Sequence, residues 1–426
     1  MVFVKRFTQR GLMSVVGQST FIIDNLRLAD GRQGMSLNVS NGVIVAIGEQ
    51  TAQLSSPRLD AGGVLILPGL TDAHVHLDKA MILGRCPLCE GTLAEAVRLT
   101  AQAKRSFTAE DVEARGAQVL ELAVRAGTQR MRSFVEVDPR AGLRSLEGLL
   151  RLKRRWSGLI DVQLCAFVQE GLTNEPETID LLHEAMRMGA DLIGGCPYTD
   201  PDPVAHVDRI FGLARHYNVD VDFHADFDLD PGNSILPEII RQTEAFGWGG
   251  RVTVGHATKL AAFDPDERER MARSMAEAGI ALVVLPATDA FLNGSRDNPM
   301  RPRGIAPAAQ MKRFGVDVAL ATNNVQNPFT PYGDASLLRM AGLYANLDQL
   351  STAADMHSVF EMVSTDAEKI TGMLAPPIAV GAKAEFILVA AETAEDAIRR
   401  NAPVVAAVKR GVLRLWAPLA PLIIPD

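Results

Sequence analysis

Cysteine, histidine and aromatic side chains are scarce in this chain. Four cysteines in 426 residues argue against a disulfide-stapled fold, and a chain this long buries a sufficient core without staples. Such sparing use of cysteine fits a reducing compartment, so a cytoplasmic location is expected. The pair Cys86-x-x-Cys89 has no second Cys/His pair at zinc-finger spacing, which leaves it a structural or incidental role. No window approaches twenty uninterrupted apolar residues, so no transmembrane helix and no membrane partner is expected. The first twenty residues lack a long apolar stretch followed by a small-residue cleavage site, and they read as an extension rather than a signal peptide. Clustered basic charge is missing too. The formal net charge is −8, and the short run Lys153-Arg154-Arg155 reads as a solvated helix end. A nucleic-acid partner is therefore not expected. No Gly-x-Gly-x-x-Gly follows the first strand-like run, which counts against a dinucleotide-binding fold.

What is present is ordinary in amount and informative in order. Hydrophobic residues make up 47% and charged residues 22%, ordinary for a soluble globular protein. The two ends are β-like: residues 21–23, 36–39 and 43–47, then 384–389 and 404–411 around a helical stretch at 394–400. Such ends suggest one discontinuous small β-sandwich domain, 1–66 with 376–426, flanking a central domain at 67–375. The centre carries eight short apolar runs, at 64–67, 131–137, 161–168, 191–196, 219–224, 252–256, 280–285 and 316–321. Amphipathic helical stretches separate most of them. Repeated βα units argue a parallel sheet, and a count of eight favours a closed (β/α)8 TIM barrel, an α/β fold.

Only eight histidines exist. His74 and His76 follow the first run, His224 ends the fifth and His256 ends the sixth. In a (β/α)8 barrel the active face is built from strand ends and the loops after them. His183, His206, His216 and His357 fall on helical stretches and read as surface or packing residues. In His74-Val75-His76 an extended backbone points both imidazoles to one side. His224 can complete a three-histidine face. That face suits zinc or another transition metal with a position open for water, whose pKa the metal lowers.

The segment Pro68-Gly69-Leu70-Thr71-Asp72-Ala73-His74-Val75-His76 resembles the signature of the amidohydrolase superfamily. Further segments narrow the resemblance to the branch of bacterial cytosine deaminase and N-isopropylammelide amidohydrolase. These are Asp161 to Gly171, Gly189 to Gly195, Val219 to His224, Arg251 to His256 and Asn327 to Gly333, and together they span nearly the whole chain. The triazine-type relatives also share the Asp78-Lys79 pair after the His-x-His. The resemblance implies a small-molecule substrate, an oligomer of identical chains, and one divalent transition metal (zinc or iron first, manganese or cobalt next) on His74, His76 and His224. It implies that His256 orients the attacking water, that Gln169 reads the amide-like edge of a heterocycle, and that Phe329 packs on the ring.

Two departures accompany these matches. Asn323 falls where the family has a metal-binding aspartate that also accepts the water's proton. An amide oxygen ligates weakly and is no general base. Phe227 falls where cytosine deaminases carry a glutamate that shuttles protons. Ordinary cytosine deamination is thus not expected. Asp226, two residues past His224, is the candidate replacement acid/base, with solvation of the loop by Asp226, Asp228 and Asp230 as the plainer reading. Asp78 and Lys79 are candidates to line the pocket. Asp334 reads as structural. The leading expectation is a hydrolase of a C–N bond in a small nitrogen heterocycle, by deamination or cyclic amide or amidine hydrolysis, using metal-activated water. A metal-free enzyme using the histidines as acids and bases, and a non-catalytic ligand-binding protein, are the alternatives.

Overall fold

A computed structural model describes residues 15–49, 56–88, 90–294, 300–418 and 420. Cys89 and most of the N-terminal extension lie outside the described residues. Eight parallel strands form the centre: Leu70–Val75, Thr128–Glu136, Asp161–Val168, Leu192–Gly195, Val221–Ala225, Val252–His256, Ile280–Val284 and Val318–Leu320. Each is hydrogen-bonded to its neighbours in chain order. The ring closes at one point, where Val75 bridges Asn323. There the Asn323 N–H donates to the His74 carbonyl and the His76 N–H donates to the Asn323 carbonyl, each at 2.8 Å. The chain is a TIM barrel with helices between its strands.

The first barrel strand differs from the sequence expectation. Residues 64–67 do not enter the barrel. Leu65–Leu67 pairs antiparallel with Phe386–Val389 in a separate four-stranded sheet. Three buried apolar residues satisfy either sheet equally well, and periodicity cannot choose between them. The barrel opens after Pro68-Gly69, at Leu70.

The terminal segments build two four-stranded sheets. One holds Val43–Gly48, Met35–Ser40, Phe21–Leu26 and Arg58–Asp60, and the other holds Val412–Trp416, Val404–Lys409, Phe386–Val389 and Leu65–Leu67. Phe21, Leu37, Ile66, Phe386, Leu388 and Val408 pack into one apolar core between them. This smaller unit grips the barrel at the strand starts. The Gln129 amide donates to the Phe386 and Val408 carbonyls at 3.2 and 2.9 Å. Lys409 pairs with Asp161 at 2.7 Å and with Glu385 at 2.8 Å. The opposite ends of the strands are left to the site.

Local chemistry sets the helix limits. Thr108, Asp202 and Thr352 accept hydrogen bonds from the first turns of the helices they open, satisfying otherwise orphaned N–H groups. Asn218 ends its helix in the left-handed conformation, φ 54°, which asparagine tolerates. The run Lys153–Arg155 lies in the last turn of the helix Arg144–Trp156. No helix among the described residues is long and apolar enough to cross a membrane.

Candidate active site

His74 lies within the first barrel strand and His76 just past its end. Both are buried, and strand alternation turns them to one side. His224 arrives from strand five. Its Nε2 stands 3.1 Å from His74 Nε2 and 3.0 Å from His76 Nε2. Gly255 on strand six makes room for this. A Cβ there would lie 2.7 Å from the His74 ring.

Three ring nitrogens this close cannot all be satisfied by one another. A metal bonded to each at about 2.0–2.1 Å spans such separations, so the donor set fits a divalent transition ion. Burial, and then neighbouring charges such as Lys79 and His256, push all three pKa values well below the usual histidine range. That favours the neutral, ligating form. The Nδ1 atoms of all three are buried without hydrogen-bond partners. The rings are held by packing instead. Phe134 lies 4.1 Å from His74 and Phe167 lies 4.2 Å from His224, centroid to centroid. A second group, Glu136, Asp138 and Glu170, also has its oxygens close together. The Lys104 ammonium already fills it, 2.7 Å from Glu136 and 2.5 Å from Glu170 and bonded to Asp138 as well.

His256 ends strand six with φ 70°. Its Nδ1 meets Asp289 Oδ1 at 2.6 Å. Asp289, fully buried in the short helix after strand seven, also accepts the Leu285 N–H at 3.2 Å. Burial raises the Asp289 pKa against the pull of His256. The pairing orients the ring and leaves Nε2 for the cavity that His256 lines. Asn323 takes the left-handed conformation, φ 59°. Its backbone closes the barrel, and its side chain lines the cavity with Oδ1 buried and unpartnered.

Lys79 and Asp78, adjacent in sequence, part company. Lys79 lines the cavity. Its Nζ is 2.7 Å from Glu136, 3.4 Å from Gln169 Oε1 and 4.2 Å from the centre of the Phe329 ring. Asp78 is absent from the lining. Its oxygens accept the N–H groups of Lys79 and Glu136, both at 2.8 Å, so it shapes the backbone beneath the pocket. Gln169 and Phe329 both line the cavity, with Phe227 and Tyr198 beside them. The Phe227 ring meets His256 edge-on at 4.5 Å.

Asp226 does not face the site. The expectation required the strand to continue past His224, but it ends at Ala225 and Asp226 turns to φ 53°. That rotation breaks the alternation. Its oxygens accept the Ser234 hydroxyl at 2.5 Å and the Ile235 N–H at 2.9 Å. Burial raises its pKa against these bonds. Asp226 therefore organises the loop after strand five. We expect Asp226→Ala to cost about 1–3 kcal/mol of stability, the penalty of unmade buried hydrogen bonds. Turnover at permissive temperature should change less than about threefold, which is under 1 kcal/mol of barrier. A loss above a hundredfold in a fully folded variant would return Asp226 to the chemistry.

The cavity is narrow: about 10 Å3 of it is open to the centre of a water molecule, roughly the room one water needs. Sequence reasoning missed Asp289, Glu136, Lys104 and the Phe134–Phe167 floor. Glu136 was findable, because it ends strand two. Asp289 was not, since only the packing of its helix brings it under His256.

The sequence profile of the amidohydrolase family matches residues 87–414. The N-isopropylammelide isopropyl amidohydrolase of Pseudomonas sp. (strain ADP) is 25% identical over 92% of this chain and 96% of its own. The pterin deaminase of Rhizobium rhizogenes is 28% identical over 87% of this chain and 86% of its own. A crystal structure of 5-methylcytosine deaminase from Klebsiella pneumoniae with phosphonocytosine superposes at a TM-score of 0.88, with 28% identity over 95% of this chain and 100% of that one. The profile match, covering more than half of the sequence, places this chain in the amidohydrolase family, among hydrolases of C–N bonds other than peptide bonds.

Proposed function

We propose that the protein hydrolyses a C–N bond of a small nitrogen heterocycle, by deamination or by opening a cyclic amide or amidine. The observation that carries this reading is the convergence of His74, His76 and His224 beside a cavity that Lys79, Gln169, His256 and Phe329 line. His74, His76 and His224 would hold one divalent ion (zinc or iron, with manganese or cobalt also suited), and the Asn323 amide oxygen, buried without a hydrogen-bond partner, would be a weak further ligand. When bound, such an ion supplies Lewis acidity and a nucleophile from water near neutral pH. The chain's own groups do the rest. Gln169 offers an amide oxygen and an NH2 to a ring edge bearing the complementary pattern. Its present contacts, Lys79 at 3.4 Å and the Cys196 thiol at 3.4 Å, are long and can be given up. Phe329 covers a ring face. His256 holds a proton on Nδ1 toward Asp289 and exchanges one at Nε2 with the reacting atoms. Phe227 and Leu292, both lining the cavity, exclude water.

Metal analysis and a panel of aminated and cyclic-amide heterocycles test the reading. About one equivalent of a transition metal per chain is expected, with activity lost on chelation and restored by that metal. Activity that survives full chelation would favour acid–base chemistry by the histidines alone. With no turnover of any panel member, and ligand affinity unchanged in His256→Ala, the protein would be a binder rather than an enzyme.

A further inference from the structure

We propose that Lys79 is the acid that protonates the departing nitrogen, and that the buried chain Glu136, Lys104, Glu170 behind it restores its proton from solvent. This rests on the hydrolase reading above and adds a proton path to it. Hydrolysis of a C–N bond moves two protons, one off the water and one onto the nitrogen that leaves. Among the described residues that line the cavity, the ionisable groups are His76, His224, Lys79, His256 and Tyr198, and no carboxylate is present. His76 and His224 belong to the metal set. Burial raises the Tyr198 pKa well above the usual range, so its proton is held too tightly. Lys79 and His256 remain. Behind His256 the way stops at fully buried Asp289, whose oxygens meet His256 and the Leu285 N–H.

Behind Lys79 the way continues. Lys79 Nζ meets Glu136 Oε1 at 2.7 Å, Glu136 Oε2 meets Lys104 Nζ at 2.7 Å, and Lys104 Nζ meets Glu170 Oε1 at 2.5 Å. The side chains of Lys79, Glu136 and Lys104 are each 2% exposed and that of Glu170 is 11% exposed, so the chain climbs from the cavity to solvent at Glu170. Such a route matters because the cavity itself has room for about one water.

The cluster also holds a proton to give. Two ammoniums, Lys79 and Lys104, stand among four carboxyls, Asp78, Glu136, Asp138 and Glu170. The guanidiniums at its edge are engaged elsewhere. Arg140, 4.0 Å from Asp138, pairs with Glu175 at 2.5 Å, and Arg115 pairs with Asp111 at 3.0 Å. Four buried carboxylates against two ammoniums are unfavourable, so one carboxyl keeps its proton. Hydrogen bonding selects Glu170. Asp78 and Asp138 accept backbone N–H groups, and Glu136 lies between both ammoniums, which favours their ionised forms. Glu170 Oε2 is buried with no partner. Burial raises the Glu170 pKa to about 8, against Lys104 and with Glu136 and Asp138. As the C–N bond breaks, its electron pair stays on nitrogen, which takes a proton from Lys79 Nζ. Lys79 is refilled in one passage: Lys104 passes a proton across Glu136 while taking the Glu170 proton. Glu170 then takes a proton from surface water. The attacking water adds its OH to carbon and returns one proton to solvent, so the protons balance.

Infrared spectroscopy of protein carrying 13C-labelled glutamate carboxyls reads the stored proton without a substrate. A protonated glutamate is expected at about pH 7, with a midpoint of about 8, and it should be missing from Glu170→Gln. No such band in the unmodified protein would overturn the path, and that measurement needs no variant. Kinetics read the acid, on whichever of cytosine, creatinine and dihydrouracil the zinc-loaded protein hydrolyses fastest. Lys79→Arg keeps the charge but holds its proton too tightly to give. Its kcat should fall at least about a hundredfold, with KM changed less than about threefold. In the unmodified enzyme kcat should fall as pH rises through about 8, where Glu170 loses its proton to leave Lys104, Glu136, Asp138 and Arg140 around a carboxylate. In Glu170→Gln kcat should be lower throughout and that fall should be gone. Circular dichroism reports whether each variant is folded. A folded Lys79→Arg with full kcat, or a Glu170→Gln profile matching the unmodified enzyme, would overturn the proposal. Turnover without a stored proton sinks the path and keeps the hydrolase reading. A stored proton in a protein that hydrolyses no ring overturns the hydrolase reading, and the role of Lys79 with it.

Discussion

His224→Ala is expected to abolish metal retention, from about one equivalent to under about a tenth per chain, and to lower turnover by at least about 10³-fold, roughly 4 kcal/mol of barrier. His224 is the hub of the site. Its Nε2 is the atom that approaches both His74 and His76, at 3.1 and 3.0 Å. Without it, the remaining pair offers two ligands on one strand, too few to enclose the ion. The truncation also uncovers the Phe167 face that packs on the ring at 4.2 Å, so some stability is lost. Circular dichroism and a melting curve separate that loss from the chemistry. A folded variant that retained a full equivalent of metal would place the metal elsewhere. Retained turnover after chelation would remove metal from the mechanism.

The second large effect is on stability. Lys104→Met should cost about 3–5 kcal/mol, the usual penalty for removing one partner of a buried ion pair. Lys104 is buried and bonds Glu136, Asp138 and Glu170 together. Burial works against its charge, but those three carboxylates outweigh it and raise its pKa. Burial also raises the Glu170 pKa, with Lys104 opposing and Glu136 adding to the rise. Without Lys104, Glu170 moves further up, and Glu136, which Lys104 and Lys79 hold below the usual range against burial, rises as well. A folded-state pKa above the unfolded value gives stability that is present in acid and lost as pH rises through the folded value. The deficit of the variant should therefore be largest near about pH 8 and shrink toward about pH 5. Chemical denaturation of both proteins at the two pH values measures this. A cost below about 1 kcal/mol, typical of an exposed pair, would show that the cluster is solvated.

Much of this site was legible because a barrel imposes a rule that sequence can follow. Chemistry gathers at strand ends: His256 ends strand six, and His224 stands one residue before the end of strand five. The alternation rule brought His74 and His76 to one side even though the strand ends at Val75 and shifts register between Asp72 and Val75, since the His76 N–H still bonds the Asn323 carbonyl at 2.8 Å. The same rule failed at Asp226, where one left-handed residue turned the side chain into the loop. It failed in another way at residues 64–67, where a buried apolar run fitted a second sheet as well as the first. Lys79 and Asp78 show the finer limit. Both are buried, yet only the ammonium reaches the cavity, since the carboxylate is held by two backbone N–H groups.

By itself the sequence determined the alternation of strands and helices, the four histidines at the active face and the two positions, Asn323 and Phe227, where carboxylates are wanting. These are properties of local order and residue type, and they survive without knowing which segments touch. Only the tertiary structure decided that Asp289 sits beneath His256, that Lys104 fills an acidic cluster behind Lys79 and that no carboxylate among the described residues faces the cavity. The first two join side chains more than thirty positions apart. Their interaction depends on distance through space and on burial, and the linear order of residues specifies neither.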